Sequence, residues 1–297
     1  MNDETTIEAA RYRAWSERLR PGWLSAWPIA RTGVGLVLRR KLSWFLLGLA
    51  LLHFLFLFAT IYLKAQIRVQ NPAVSRFVDS VLSSVAGAGR TYRDFMTAQG
   101  TVTMLLLAFA GEVLVGNDYR HGGLVFYLSR RVARRHYVVG KLLSIALLVE
   151  LTTALPALIL YAEYGLLTES MSYFAENTRI LWGILGYGLV MAVTLSLLLF
   201  ALAAWLPRTV PLVMAWSCIF VLLPAFGAIL RSAYGDRRWL LVALWRDLRL
   251  IGSWCFGALD PVRESPLLAG AVAVVAAVCV ASAAAIVPRV RAIKVVA

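Results

Sequence analysis

The chain has 297 residues, of which 60% are hydrophobic and only 15% charged, with ten Trp and a formal net charge of +14. That balance lies outside the range of a soluble globular domain. It also excludes a nucleic-acid-binding role, because no soluble domain remains to carry a basic groove, and the fold class expected is an all-α integral membrane protein.

Residues 1–41 are a charged, Trp-containing leader. Its second half, residues 23–41, mixes Trp with apolar residues and ends in Arg39, Arg40 and Lys41, the pattern of a helix lying on the inner membrane face with its cations near anionic lipid. The first long apolar run begins only at residue 42, too late and too long for a simple secretory signal, so it reads as a retained span. From there residues 42–297 form the transmembrane domain. Apolar stretches cover 42–63, 100–115, 142–161, 180–206, 210–230 and 267–287. About 20 helical residues cross a hydrocarbon layer about 30 Å thick, so these give six transmembrane helices. They lack the alternation of barrel strands.

The connections differ in character. Residues 64–98 read as a small outer cap, with Phe77, Val78, Val81, Leu82 and Val85 spaced as on an amphipathic helix. Lys and Arg concentrate before helix one (Arg31, Arg39, Arg40, Lys41), between helices two and three (Arg120, Arg130, Arg131, Arg134, Arg135, Lys141), after helix four (Arg208) and after helix six (Arg289, Arg291, Lys294). With six alternating helices all lie on one side, which makes both termini cytoplasmic. The loop 231–266 breaks that rule with six Arg on the opposite side. Its middle, "WLLVALWRDLRLIGSWCFGAL", is too apolar for an exposed loop, yet as a seventh span it would bring Arg246, Asp247 and Arg249 to midplane at roughly 2.5–3.5 kcal/mol each. Two short re-entrant helices at the outer face, with "WRDLR" as a turn in polar surroundings, are expected there instead.

The segment 117–141 is the most basic. In "YRHGGLVFYLSRRVARRHYVVGK", Gly122 and Gly123 break the end of helix two, "LVFYL" supplies an apolar face, and Ser129 can cap a short helix. Arg130 with Arg134, and Arg131 with Arg135, then stand one helical turn apart. Such a helix suits docking into a groove of another protein. The alternative is that these arginines only fix orientation and bind lipid phosphate.

The same stretch resembles the signature of ABC-2 type permeases, the transmembrane subunits of bacterial ATP-binding cassette transporters, in their single-subunit six-helix group. Glu112 occupies the acidic position near the end of helix two. Gly122, Gly123 and Leu124 match the Gly-Thr-Leu-like element, "LSRRVAR" with Ser129, Arg130 and Arg134 the Leu-Ser-x-Pro-Val-x-Arg-like element, and Tyr137 with Lys141 the Tyr-x-x-Gly-Lys element entering helix three. Arg131 stands where the family has Pro, and Gly123 where it has Thr. The resemblance implies that the leader is a connecting helix, that 117–141 couples to a cassette ATPase, and that 231–266 is an outer re-entrant pair. It also implies a homodimer, or a pair with a close homologue, carrying two ATPases in the bacterial inner membrane. The chain has no "GxxxxGK[ST]", so ATP and magnesium belong to the partner ATPase and no cofactor is expected here.

Few polar residues fall within the spans. His53 in helix one, Glu150 in helix three, and Ser217 and Pro224 in helix five are candidates for a pathway, or else pack; Pro156 and Pro224 favour kinks. The "GILGYG" of residues 183–188 gives helix four a small face for close contact. The three Cys and three His are scattered, so neither a disulfide nor a metal site is expected. A membrane enzyme would need clustered acids or histidines at one face, and the loops there offer little beyond Glu112 and Asp118. Two readings remain: export of an amphipathic or lipid-like substrate through a mostly apolar passage, and a non-transporting subunit that passes ATPase-driven motion to a periplasmic or membrane partner.

Overall fold

A computed structural model describes residues 22–70, 89–123, 127, 133–167 and 171–291. The described residues are helical with no strand, and six helices are long and apolar enough to cross a membrane. In chain order these are α1 (Ala26–Leu38), α2 (Lys41–Gln70), α3 (Gly89–Arg120), α4 (Arg134–Leu167), α5 (Met171–Glu176), α6 (Thr178–Trp205), α7 (Thr209–Tyr234), α8 (Leu244–Cys255) and α9 (Ser265–Arg291). The spans are α2, α3, α4, α6, α7 and α9. The end at which the chain enters α2 is called the entry end below, and the opposite one the far end.

Helices α3 and α6 form the centre of the bundle. Ile184, Tyr187, Met191, Leu195 and Leu199 follow the helical repeat down α6 and are fully buried, as are Met96, Leu107 and Leu114 on α3. Helices α2, α7 and α9 lie outside and leave apolar side chains such as Phe45, Leu52, Met214, Val221 and Val280 exposed. Lipid tails are as apolar as these side chains, so burial of greasy surface contributes little to association within a membrane. Close approach and hydrogen bonds hold the helices instead. The Gln99 amide donates to the Ala50 carbonyl (2.9 Å), the Trp216 indole to the Met104 carbonyl (3.1 Å), and the Thr103 and Thr152 hydroxyls lie 2.6 Å apart. A Cβ at Gly188 would stand 3.0 Å from that of Ala154, tighter than ordinary contact, so the missing side chain lets α6 come close to α4. Gly183, by contrast, makes room for Phe256 at the end of α8 rather than for another span.

Both prolines act on their helices. Pro156 has no N–H for the Thr152 carbonyl, and α4 is interrupted at Thr153. Pro224 follows a π-helical turn, Cys218–Leu222, inside α7.

Two features differ from expectation. The span within α2 ends at Leu63, but helix two begins at Gly89, not near residue 100, and so takes in the last part of 64–98; the amphipathic stretch 75–85 lies outside the described residues. The polar residues of 89–99 hide the helix from hydropathy, yet Arg93 and Gln99 are buried: Arg93 donates to Ser253 and the Gln99 amide nitrogen to the Ala50 carbonyl, while Gln99 Oε1 has no partner among the described residues. In 231–266 two short helical elements follow each other, a 3-10 helix at Arg237–Val242 and α8. "WRDLR" is not an exposed turn: it lies inside α8, where Asp247 is 1% exposed. Leu244, Leu248 and Ile251 form the inward stripe, and Asp247 shares their face at spacings of three and four residues.

Candidate functional site

Polar side chains converge at the entry end, where α3 stops and α4 starts. Tyr137 and Lys141 are one turn apart on α4 and therefore face the same neighbour, the final turn of α3. Lys141 is 3% exposed, and its ammonium lies 2.7 Å from Asp118 Oδ2. The Tyr137 hydroxyl donates to the same oxygen at 2.9 Å. The rings of Tyr127 and Tyr137 flank the ammonium at 5.8 Å each, within cation–π range. Burial, reinforced by the Asp118 carboxylate, pushes the Tyr127 phenol up from its ordinary pKa, so it stays a neutral wall of the site. A lysine this deep is tolerated only because its charge is met: taking one partner from a buried pair costs roughly 3–5 kcal/mol.

A second contact ties this pair to α7. Glu112 opens a π-helical turn, Glu112–Gly116, which inserts an extra residue and re-aims the side chains that follow. The Thr209 hydroxyl, in the first turn of α7, donates to Glu112 Oε2. Arg120 approaches Oε1 from the exposed side at 3.7 Å. One turn further along α3, a Cβ at Gly116 would stand 2.7 Å from the Pro207 carbonyl oxygen, so backbone meets backbone where α6 hands over to α7.

Helix α1 completes the site from the side. A Cβ at Gly140 would lie 2.9 Å from the Ala26 carbonyl, and one at Gly33 would collide with Ser144. The Ser144 hydroxyl bonds the Gly140 carbonyl (2.9 Å) and lies 3.3 Å from that of Ala30. Displacement of the first two turns of α4 therefore carries α1 with it.

Of the sequence-derived candidates, Glu112, Tyr137 and Lys141 meet here. Gly122 adopts a left-handed conformation (φ 69°) that ends α3, and Gly123 packs beside Asp118. Arg134 is exposed at the start of α4, while Leu124, Ser129 and Arg130 lie outside the described residues. The four intramembrane candidates do not converge. The His53 ring lies 5.3 Å from that of Phe95, Glu150 lies against Gly188, Ser217 is exposed on α7, and Pro224 begins the helix after the π turn. In the sequence Asp118 figures only as a loop acid and Arg120 only among the orienting cations, and Thr209 carries no signal of its own. A lysine one turn after a tyrosine at the mouth of an apolar helix was the available signal, since it demands a nearby carboxylate.

No protein-family model matches the chain, and no curated protein matches it.

Proposed function

We propose that this chain is the permease subunit of an ATP-driven transporter of the ABC-2 type, working as a dimer of permeases with two copies of a separate cassette ATPase. In this reading the protein sits in the bacterial inner membrane with the entry end and both termini cytoplasmic. Helix α1 is the connecting helix, 117–141 the coupling segment, and α8 with its preceding turn the outer re-entrant element.

The observation that carries the proposal is the buried Lys141–Asp118–Tyr137 group with its Glu112–Thr209 extension. It lies at the root of the segment that would receive the ATPase and joins that segment to α3, α4 and α7. A push there cannot dissipate in loose loops, because Lys141 and Asp118 are bonded and neither can part from the other cheaply. Motion passes instead to α3 and α7. Thr101, Leu105 and Phe109 form an exposed stripe on α3, a face suited to a second copy and to an apolar passage between copies. ATP and magnesium act in the partner, and the cargo favoured by such a passage is amphipathic or lipid-like.

Reversing charge at Arg130 and Arg134 (Arg→Glu at both) tests the docking step. The ATPase encoded beside the gene is expected to co-purify with the native permease and to be lost from the variant, which should still insert and melt as before. Unchanged recovery of the ATPase at ordinary salt would refute the coupling role.

A further inference from the structure

Between α4, α6 and α9 at the entry end runs a groove of about 520 Å³. Val138 and Leu142 of α4, Leu197 of α6, and Ile286 and Val287 of α9 form its walls. Arg134, Arg135 and Arg291 form its rim. From Arg135 to Leu142 the groove descends about 10 Å along α4, and from Arg291 to Ala283 about 12 Å along α9, at 1.5 Å per residue. Its walls thus belong to spanning helices, below the depth a soluble partner reaches, while its cations stand at the membrane surface.

The rim is assembled from the middle and the C-terminal part of the chain. Pro288 and Arg289 turn the end of α9 against α6: Arg289 Nε donates to the Ala204 carbonyl at 3.0 Å, and its guanidinium lies 4.9 Å from the Trp205 ring. Trp205 in turn donates to the Ala285 carbonyl at 3.0 Å. Arg289 is thereby engaged on one side of α9, leaving Arg291 at the rim of the groove on another. Arg135 and Arg291 are exposed and make no ion pair among the described residues.

We infer that this groove is a binding site for an anionic phospholipid, with an acyl chain against Val138, Leu197 and Val287 and the phosphate among Arg134, Arg135 and Arg291. Apolar walls alone would not select a lipid, because a chain gains little by leaving its neighbours in the bilayer. Selection comes from the head group. Each cation near the surface favours an anionic lipid about fivefold, so Arg135 and Arg291 alone give a preference on the order of 25-fold over a zwitterionic lipid at low salt. The site does not depend on the transporter reading, although Arg134 belongs to both and would let lipid occupancy bear on the coupling segment.

The test is native mass spectrometry of the full-length protein in non-ionic detergent, equilibrated with equimolar phosphatidylglycerol and phosphatidylcholine. The wild type is expected to retain phosphatidylglycerol at least tenfold over phosphatidylcholine. Arg135→Gln with Arg291→Gln should reduce that preference to about fivefold or less. Val287→Trp, which fills the groove and keeps every charge, should lower retention as well; Ala283→Phe serves the same purpose if that variant does not insert. Glycerol phosphate at equal concentration should displace nothing. Equal retention of the two lipids, or retention unmoved by the variants, overturns the site. So does displacement by glycerol phosphate, which would mark a surface anion site without a chain. A dimer mass that reverts to monomer in the arginine variant would give the groove to a second copy instead.

Discussion

Each end of the bundle buries charge, but in different ways. At the entry end Lys141 and Asp118 meet at 2.7 Å with side chains 4% and 17% exposed, and Tyr137 caps the carboxylate. At the far end Arg93 is buried and spreads its donors over Ser253 (2.9 Å) and Asp94 (2.9–3.1 Å), Arg249 reaches Asp94 from solvent, and Asp247 is buried with Oδ2 unpartnered. A closed pair resists separation and transmits displacement, whereas an open cluster with an unmet carboxylate responds to protons and solvent.

The sharpest way to break this contrast is Lys141→Ala. Asp118 would keep only the Tyr137 hydroxyl, and the expected loss is roughly 3–5 kcal/mol, read as a large drop in thermal midpoint or failure to purify. Lys141→Met combined with Asp118→Leu should recover most of that stability, since replacing both ions by apolar groups removes the desolvation penalty too. A single substitution costing under about 1 kcal/mol would mean the pair is solvated, and the entry end no different from the far end.

How far this contrast was legible beforehand depends on what periodicity can carry. Hydropathy finds six spans because a lipid-facing helix is apolar on every side. It misses the first turns of α3, where Arg93 and Gln99 look like loop residues until Ser253 and the Ala50 carbonyl are seen to accept their N–H groups. The one-turn spacing of Tyr137 and Lys141 predicted a common face, but not which acid would meet it. Asp118 is 23 residues away from Lys141 across a turn whose path no pattern specifies. Asp247 was read as exposed because a charge was assumed to seek water. Its face is fixed by Leu244, Leu248 and Ile251, and the stripe wins.

Asp247 sharpens the comparison through pH. Burial raises its carboxyl from an ordinary value of 3.8 to about 7, with Arg246 beside it pulling the other way. Between those values the unfolded chain has released a proton that the folded chain still holds, so stability is greatest below about pH 4 and falls as pH rises to about 7. Asp247→Asn keeps the shape and removes the titration. The thermal midpoint of the wild type is expected to fall more steeply between pH 5 and pH 7 than that of the variant. Parallel profiles would show that Asp247 is already ionised in the fold.

The smallest effect is the most diagnostic, because the distance is nearly the same while the burial of the pair is very different. Arg249 and Asp94 lie 2.9 Å apart, almost as close as Lys141 and Asp118, but their side chains are 52% and 45% exposed. Water screens the attraction and solvates either partner left alone, and ordering two exposed side chains costs entropy, so such pairs contribute about 0–1 kcal/mol. Asp94 also keeps its contacts with Arg93 when Arg249 is removed. Arg249→Ala is therefore expected to shift the thermal midpoint by no more than a small fraction of the Lys141→Ala shift, with a difference that vanishes in high salt. A loss approaching that of Lys141→Ala, and insensitive to salt, would mean that the Arg249–Asp94 pair is shielded in the membrane. The far end would then be a second closed lock, not an open cluster.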